Sequence, residues 1–150
     1  MARKIIAAAL LVVMLFTMAA CAQWSYSDEI QMMYQVLKYF DDYDTLTVNV
    51  LEKYNVSETE IYYYVEWVYP ENGDNDTYEF LVIYNTQSQI AKLAHFKDME
   101  AGYKADIKKV WDEIKTQEPD RTFTRAEIKE IIDEAAVLKE KIDQASAENA

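Results

Sequence analysis

The sequence predicts an α+β domain in which a three-stranded antiparallel meander is flanked by two N-terminal and two C-terminal helices. Two runs rich in tyrosine and valine, at 59–69 and 77–85, lie on either side of Asn72-Gly73, a pair that favours a two-residue hairpin turn. Apolar residues recur at helical spacing before and after this hairpin. Only two glycines and two prolines occur in the whole chain, which argues against an all-β barrel with many turns.

The first 22 residues have the order of an export signal. Arg3 and Lys4 precede an uninterrupted apolar run at 5–16, and small residues follow. The sequence Ala19-Ala20-Cys21 resembles the lipobox of bacterial lipoprotein precursors. The resemblance covers residues 1–22. It implies a signal peptide at 1–20 and a lipidated Cys21 that begins a short tether at 21–27. It also implies an exported protein held in the bacterial cell envelope, at the outer membrane if the organism has one.

Two alternatives to lipidation stay open. Ala20-Cys21-Ala22 also fits ordinary signal peptidase, which would release a soluble protein, and an uncleaved apolar run would make a short membrane anchor. Cys21 is the only cysteine and lies where a lipobox requires one, so we favour the lipoprotein. A single cysteine also excludes an internal disulfide and a zinc site built on cysteines.

Two helices are predicted before the hairpin. Ser27 is a suitable N-cap for a helix that runs to about Asp41. Residues 45–54 are ambiguous, because their apolar positions fit both a strand and a helix. Asp44 as a cap and the polar end of the segment favour a second helix. The apolar positions of the first helix are Ile30, Met33, Tyr34, Leu37 and Phe40.

The hairpin is predicted to have two apolar faces. Ser57 to Glu60 also matches a capping box, but the valines and aromatic residues that follow favour a strand. A two-residue turn at Asn72-Gly73 places Glu66 opposite Glu79. What we call the first face, predicted to be the core, is formed by Ile61, Tyr63, Val65, Trp67, Tyr78, Phe80, Val82 and Tyr84. The second face carries Tyr62, Tyr64, Leu81 and Ile83.

The C-terminal half reads as a third strand at Ile90 to Phe96 and two helices. A helix from Asp98 to Gln117 is predicted to place Trp111 on the first face. Pro119 ends it, and Thr124 with Glu127 forms a capping box that opens the last helix. The single domain is therefore predicted at 28–145, with a frayed tail at 146–150. The apolar stripe of the Asp98 helix is Met99, Tyr103, Ile107, Val110, Trp111 and Ile114.

The second face is where a partner would bind if it were left open. We expect the N-terminal helix to cover it, with at most Tyr62 or Tyr64 exposed at its rim. These two tyrosines are therefore the candidate partner-binding residues. The helix positions expected to cover it are Met33, Tyr34, Leu37 and Phe40.

No pattern for catalysis, a metal or a cofactor is found. His95, the only histidine, is expected to be structural, and the 27 acidic residues single out no catalytic pair. Glu71 to Asp76 lacks the spacing of a calcium-binding loop. The formal charge is −12, and it becomes −14 without the first twenty residues, which hold Arg3 and Lys4 and no acid. Such a charge argues against nucleic-acid binding and favours cationic partners.

These observations favour a small acidic envelope lipoprotein that acts as a non-catalytic binding or structural module. The sequence does not say whether its partner is a protein or a glycan, or whether it is an oligomer. Two alternatives are a carboxylate-based enzyme acting on cell-wall glycans and a soluble secreted inhibitor or effector.

Overall fold

The computed structural model describes residues 26–40, 47–71 and 74–150. The predicted signal peptide with Cys21, the aspartates at 41–44 and the Asn72-Gly73 turn lie outside this part, as do the side chains at 69–71 and 74–76. The described elements are α1 (Asp28–Leu37), β1 (Thr47–Asn55), β2 (Glu60–Glu71), β3 (Asp74–Asn85), β4 (Ile90–His95), α2 (Phe96–Glu100), α3 (Ala105–Ile114), β5 (Arg121–Thr122) and α4 (Arg125–Glu148).

The architecture is α+β, as predicted, but the sheet is larger than the predicted meander. Its five antiparallel strands have the order β4-β3-β2-β1-β5, and the described part of the chain adds four helices. The predicted meander is β2-β3-β4. The prediction of two helices before the hairpin is wrong, since β1 lies where the second helix was expected and α1 is the one helix before the sheet among the described residues.

The register of the hairpin is the predicted one. Glu71 pairs with Asp74, so two residues separate the strands, and Glu66 pairs with Glu79. The first-face and second-face residues named above therefore lie on the faces that the two-residue turn predicts.

β1 covers most of the ambiguous segment 45–54 and contains a bulge. The register between β1 and β2 shifts between Val48 and Val50, where β1 contains one extra residue. Because of this bulge, Val48 and Leu51 are buried on the same face although they are three residues apart, and Tyr54 is buried on the other face. The predicted helix rested on the spacing of Leu46, Val50 and Tyr54 and is wrong, because pairing with β2 makes residues 47–55 a strand.

The N-termini of α1 and α4 follow their capping signals. Ser27 caps α1 and accepts a hydrogen bond from the backbone N–H of Ile30. Thr124 and Glu127 form the predicted capping box of α4. This helix continues to Glu148, so helical order extends beyond residue 145, where the sequence analysis ended the domain.

The predicted helix from Asp98 to Gln117 is instead two helices. α2 begins at Phe96, with His95 rather than Asp98 at the N-cap position. Gly102 at φ +90° and Lys104 at φ +55° then redirect the backbone before α3. Because the stripe is broken there, Tyr103 is 68% exposed instead of packed.

Helices cover both faces of the sheet, but not the predicted ones. α1 and α4 pack in the core of the first face, whereas α2 and α3 supply Met99 and Trp111 to the core of the second. The predictions that Trp111 packs on the first face and that α1 covers the second are therefore wrong. The physical reason lies at the end of β4. His95 pairs with Phe80 on the first face, so Phe96, the next residue, enters the second face and takes α2 and α3 with it.

Candidate binding surface on the second face

The structure places the two predicted binding tyrosines in different environments. Tyr62 is 3% exposed and belongs to the second-face core with Leu81 and Ile83. Tyr64 is half-buried at the border of that core. Of the two, Tyr64 is therefore the one whose side chain reaches the surface.

Tyr64 belongs to an aromatic cluster that joins the sheet to α2 and α3. Its ring stacks on the Trp111 indole, with centroids 5.8 Å apart and an interplanar angle of 6°. Phe96 meets Tyr64 edge-on at 5.8 Å, and Tyr54 meets Trp111 edge-on at 5.3 Å. Such stacked and perpendicular contacts are the preferred aromatic geometries, so they hold the Tyr64 ring in place.

Three carboxylates lie next to this cluster on adjacent strands, and we call them the carboxylate row: Glu52 of β1, Glu66 of β2 and Glu79 of β3. Glu66 lies directly opposite Glu79. Glu52 lies opposite Tyr64, and Tyr64 is two residues before Glu66 on β2. Side chains in such positions have Cβ atoms roughly 5–8 Å apart. Like charges at this distance oppose folding, so their placement calls for a compensating interaction.

Each carboxylate of the row accepts one hydrogen bond from a neutral donor. The Tyr54 hydroxyl donates to Glu52 at 2.8 Å, and the Tyr64 hydroxyl donates to Glu79 at 2.5 Å. The Asn49 amide donates to Glu66 at 3.5 Å. Within the part of the chain that is described, none of the three forms an ion pair with a lysine or an arginine. Among the described residues, their negative charges are therefore hydrogen-bonded but not neutralised.

The two tyrosines are held as donors. Burial, the hydrogen bond to Glu52 and the charge of Glu52 raise the pKa of Tyr54. Burial, the hydrogen bond to Glu79 and the nearby carboxylates raise the pKa of Tyr64. Both hydroxyls thus stay protonated well above neutral pH and keep the row oriented.

The surrounding sequence reinforces the negative potential. Between Lys53 and Lys92 the chain has seven acidic residues and no lysine, arginine or histidine. This stretch contains β2 and β3, so the hairpin forms the most negative side of the sheet. A negative surface with fixed aromatic neighbours attracts lysine or arginine side chains, through both charge and cation–π contact.

The carboxylate row is not arranged as a metal site among the described residues, and two surface hollows lie away from it. Among the described residues, no group of three or more histidine, cysteine, aspartate or glutamate side chains is arranged to hold a metal ion. Two surface hollows, of about 400 and 760 Å³, lie elsewhere, along α3 and at the C-terminal end of α4. Glu79 of the row is exposed, whereas Glu52 and Glu66 are half-buried on the same face of the sheet.

Some of these residues were missed from the sequence. Glu52 was predicted in a helix, so its position beside Tyr64 could not be predicted. The pairing of Glu66 with Glu79 was predicted. His95 has a neighbour typical of a structural residue, the Phe80 ring at 5.8 Å. Cys21 lies outside the described residues. Within the described ranges, no helix is both long and apolar enough to cross a membrane.

Comparisons with models of known protein families, with curated proteins and with solved structures find no match to this chain.

Proposed function

We propose that this protein is an exported, lipid-anchored envelope protein whose domain is a non-catalytic binding module for a basic segment of another protein. Cys21 is the proposed lipidation site, and the carboxylate row with the rim of Tyr64 is the proposed binding surface. The observation that carries the proposal is that three adjacent carboxylates accept hydrogen bonds from neutral donors and, among the described residues, form no ion pair.

Lysine or arginine side chains would complete this arrangement. A cation that approaches the row meets two or three carboxylates at once, and the fixed tyrosine donors leave other lone pairs of each carboxylate free. The partner's cationic groups would also relieve the repulsion between Glu66 and Glu79. Binding of this kind is expected to be fast and to weaken with added salt.

The direction of the N-terminus is compatible with this use of the surface. Tyr26, the first described residue, packs against the first-face core, and Glu29 of α1 bonds to Lys53 on that same side. The carboxylate row lies on the opposite face. A chain tethered through Cys21 would then leave the domain on the side away from the row, so that the row remains accessible.

The anchoring part is tested by metabolic labelling. Radiolabelled palmitate should be incorporated into the wild-type protein but not into Cys21→Ser, and only the wild type should remain with the membrane fraction. Equal labelling of both proteins, or none of the wild type, would contradict the lipid anchor.

The binding part is tested with a six-residue peptide of alternating lysine and serine, titrated into the mature protein in detergent at low salt. Replacing the row by Glu52→Gln, Glu66→Gln and Glu79→Gln removes three charges at constant shape. The affinity should fall about threefold to a hundredfold, since exposed ion pairs contribute roughly 0.2–1 kcal/mol each.

The matched control removes three charges from the solvent side of α4, with Glu130→Gln, Glu134→Gln and Glu140→Gln. All three glutamates are exposed, and the change in net charge is the same. The control should change the affinity less than about twofold, because only distant charges are lost. Equal losses in both triple variants would show a general effect of net charge and would reject the row as the site.

A further inference from the structure

A second interaction surface lies at the outer edge of β4. This strand, Ile90–His95, pairs with β3 on one side and is the last strand of the sheet on the other. The question is which of its backbone groups point outward, because those groups would pair with an added strand.

The alternation of hydrogen-bonded pairs between β2 and β3 decides this. Such pairs recur at every second residue, and the register continued from Glu60 and Asn85 puts Thr59 opposite Thr86 in the same series as Tyr63 opposite Val82. The backbone N–H of Thr86 donates to the carbonyl of Thr59, which agrees with this alternation at the far end. Val82 therefore directs both of its backbone groups to β2. Its partner on β4, Leu93, must direct its own N–H and carbonyl outward, as must Ala91 two residues before it.

The side chain of Lys104 is hydrogen-bonded to one of these outward groups. Its Nζ donates to the carbonyl of Leu93 at 2.5 Å. The left-handed backbone of Lys104, at φ +55°, follows the turn at Gly102 and brings this side chain back to the strand. Non-glycine residues adopt this conformation at an energetic cost, so the contacts of the surrounding loop must hold Lys104 in it. The N–H groups of Ala91 and Leu93 make no backbone hydrogen bond outside the sheet within the described chain.

The side chains along this edge indicate what would bind. Ile90 is 57% exposed, and Lys92 is exposed on the same face of the strand. Within the described ranges, neither Lys92 nor Lys104 forms an ion pair. The edge thus offers an apolar position and, two residues on, an unpaired cation.

We propose that the outer edge of β4 binds an extended segment of a partner protein as an added strand. The segment carries an acidic residue opposite Lys92 and an apolar residue opposite Ile90, two positions apart. Its backbone pairs with Ala91 and Leu93, and a backbone N–H replaces the Lys104 ammonium at the Leu93 carbonyl. Lys104 then pairs with the acidic residue. Added strands of this kind gain affinity from the backbone and specificity from alternate side chains.

A second copy of this chain fits the edge less well. Symmetric pairing about Leu93 would place Lys92 against Ala94, leaving it unpaired, and would displace Lys104 in both copies without supplying an acidic partner. Symmetric pairing about Lys92 would set two like charges against each other. The two mature chains would also each carry a charge of −14.

The test uses the mature protein in detergent and a nine-residue peptide in which threonine alternates with valine and glutamate. With a glutamate opposite Lys92, the threonine amides point at β4, whereas those of valine and glutamate point away. Methylating the threonine nitrogens should weaken binding, measured by fluorescence anisotropy, about tenfold or more. Methylating the valine and glutamate nitrogens should leave it unchanged.

Protein variants address the side chains. Lys92→Met should weaken binding about threefold to fivefold, whereas Lys129→Met, on the solvent side of α4, should have no effect. The triple glutamine variant of the carboxylate row should bind this peptide as the wild type does, so the inference stands or falls independently of the proposed function. Three outcomes would overturn it: no binding, equal effects of both methylation patterns, or a peptide-free dimer in sedimentation experiments that Ala91→Pro dissociates. The last outcome would assign the edge to a second copy.

Discussion

The ring of Tyr64 lies parallel to the indole of Trp111, with 5.8 Å between the centroids and 6° between the planes. This contact joins β2 to α3, two elements separated by 33 residues of chain, and it lies where the second-face core meets the carboxylate row. The same contact therefore contributes to stability and fixes a group at the proposed binding surface.

Removing the indole tests the core of the second face. Trp111 is 7% exposed, so Trp111→Ala should lower the free energy of unfolding by about 3–5 kcal/mol in urea denaturation. Tyr103 was predicted on the same helical stripe but is 68% exposed, so Tyr103→Ala should change it by less than about 0.5 kcal/mol. Similar losses for both variants would mean that one continuous helix packs on the sheet.

The two candidate binding tyrosines should separate into a core residue and a surface residue. Tyr62→Ser should destabilise the fold by about 2–4 kcal/mol, because it removes a buried ring. Tyr64→Phe keeps the stacked ring and loses only the hydrogen bond to Glu79, worth about 1 kcal/mol. Its main effect should be on the affinity for the lysine peptide. A Tyr62→Ser protein with unchanged stability would contradict the burial of that face.

Tyr63 and Tyr84 are both fully buried on the first face, and the Tyr63 hydroxyl donates a hydrogen bond to Glu29 at 3.2 Å. The Tyr84 hydroxyl makes no hydrogen bond with the described residues. Tyr63→Phe should therefore cost about 1 kcal/mol, whereas Tyr84→Phe should be neutral or stabilising by up to about 1 kcal/mol. Thermal unfolding of the two variants provides the comparison, and equal costs would indicate a partner for Tyr84.

Alkaline titration adds a check on the same pair. Burial, together with the charges of Asp28 and Glu29, raises the pKa of Tyr84 to about 12. Burial and the Glu29 carboxylate also raise the pKa of Tyr63. Since a raised tyrosine pKa favours the protonated folded form, the stability that these groups contribute is present below their unfolded pKa of about 10 and is lost at higher pH. Absorbance at 295 nm reports the deprotonation of tyrosine. The increase that comes from Tyr84 in the wild type should be missing in Tyr84→Phe.

The ion pair between Glu29 and Lys53, at 2.7 Å, should make stability depend on acid. Burial raises the pKa of Glu29, but the Lys53 ammonium, the backbone and the Tyr63 hydroxyl together bring it below its ordinary value of 4.5. A lowered pKa means that the stabilisation is present above the unfolded value and is lost as the pH falls through the folded value. Urea denaturation between about pH 6 and pH 3 should show this loss in the wild type.

Lys53→Met is the matched variant for that experiment. It should destabilise the fold by about 1–3 kcal/mol near neutral pH, because it leaves Glu29 partly buried without its cation, and it should flatten the acid dependence. Adding Glu29→Gln should recover part of the loss. An acid dependence that is the same in the wild type and in Lys53→Met would assign it to other carboxylates.

Local signals in the sequence were sufficient where they act over a few residues. The Asn72-Gly73 pair predicts a two-residue turn, and such a turn sets the alternation of both strands, so the facing of Glu66 and Glu79 followed from it. Ser27 and Thr124 cap their helices because a side-chain oxygen near the first free N–H groups needs no tertiary partner. β1 was beyond such reasoning, since the spacing of Leu46, Val50 and Tyr54 fits a helix as well as a strand, and only pairing with β2 decides for the strand.

The amino-acid sequence by itself determined that the hairpin is apolar on both faces, and that both faces must therefore be covered. Which helices cover which face was decided only by the tertiary structure. α1, α3 and α4 all have apolar stripes, and hydrophobic burial has no direction of its own, so either face could accept any of them. The choice depended on β4 ending at His95 on the first face, which sends Phe96 and Trp111 to the second and leaves the first to α1 and α4.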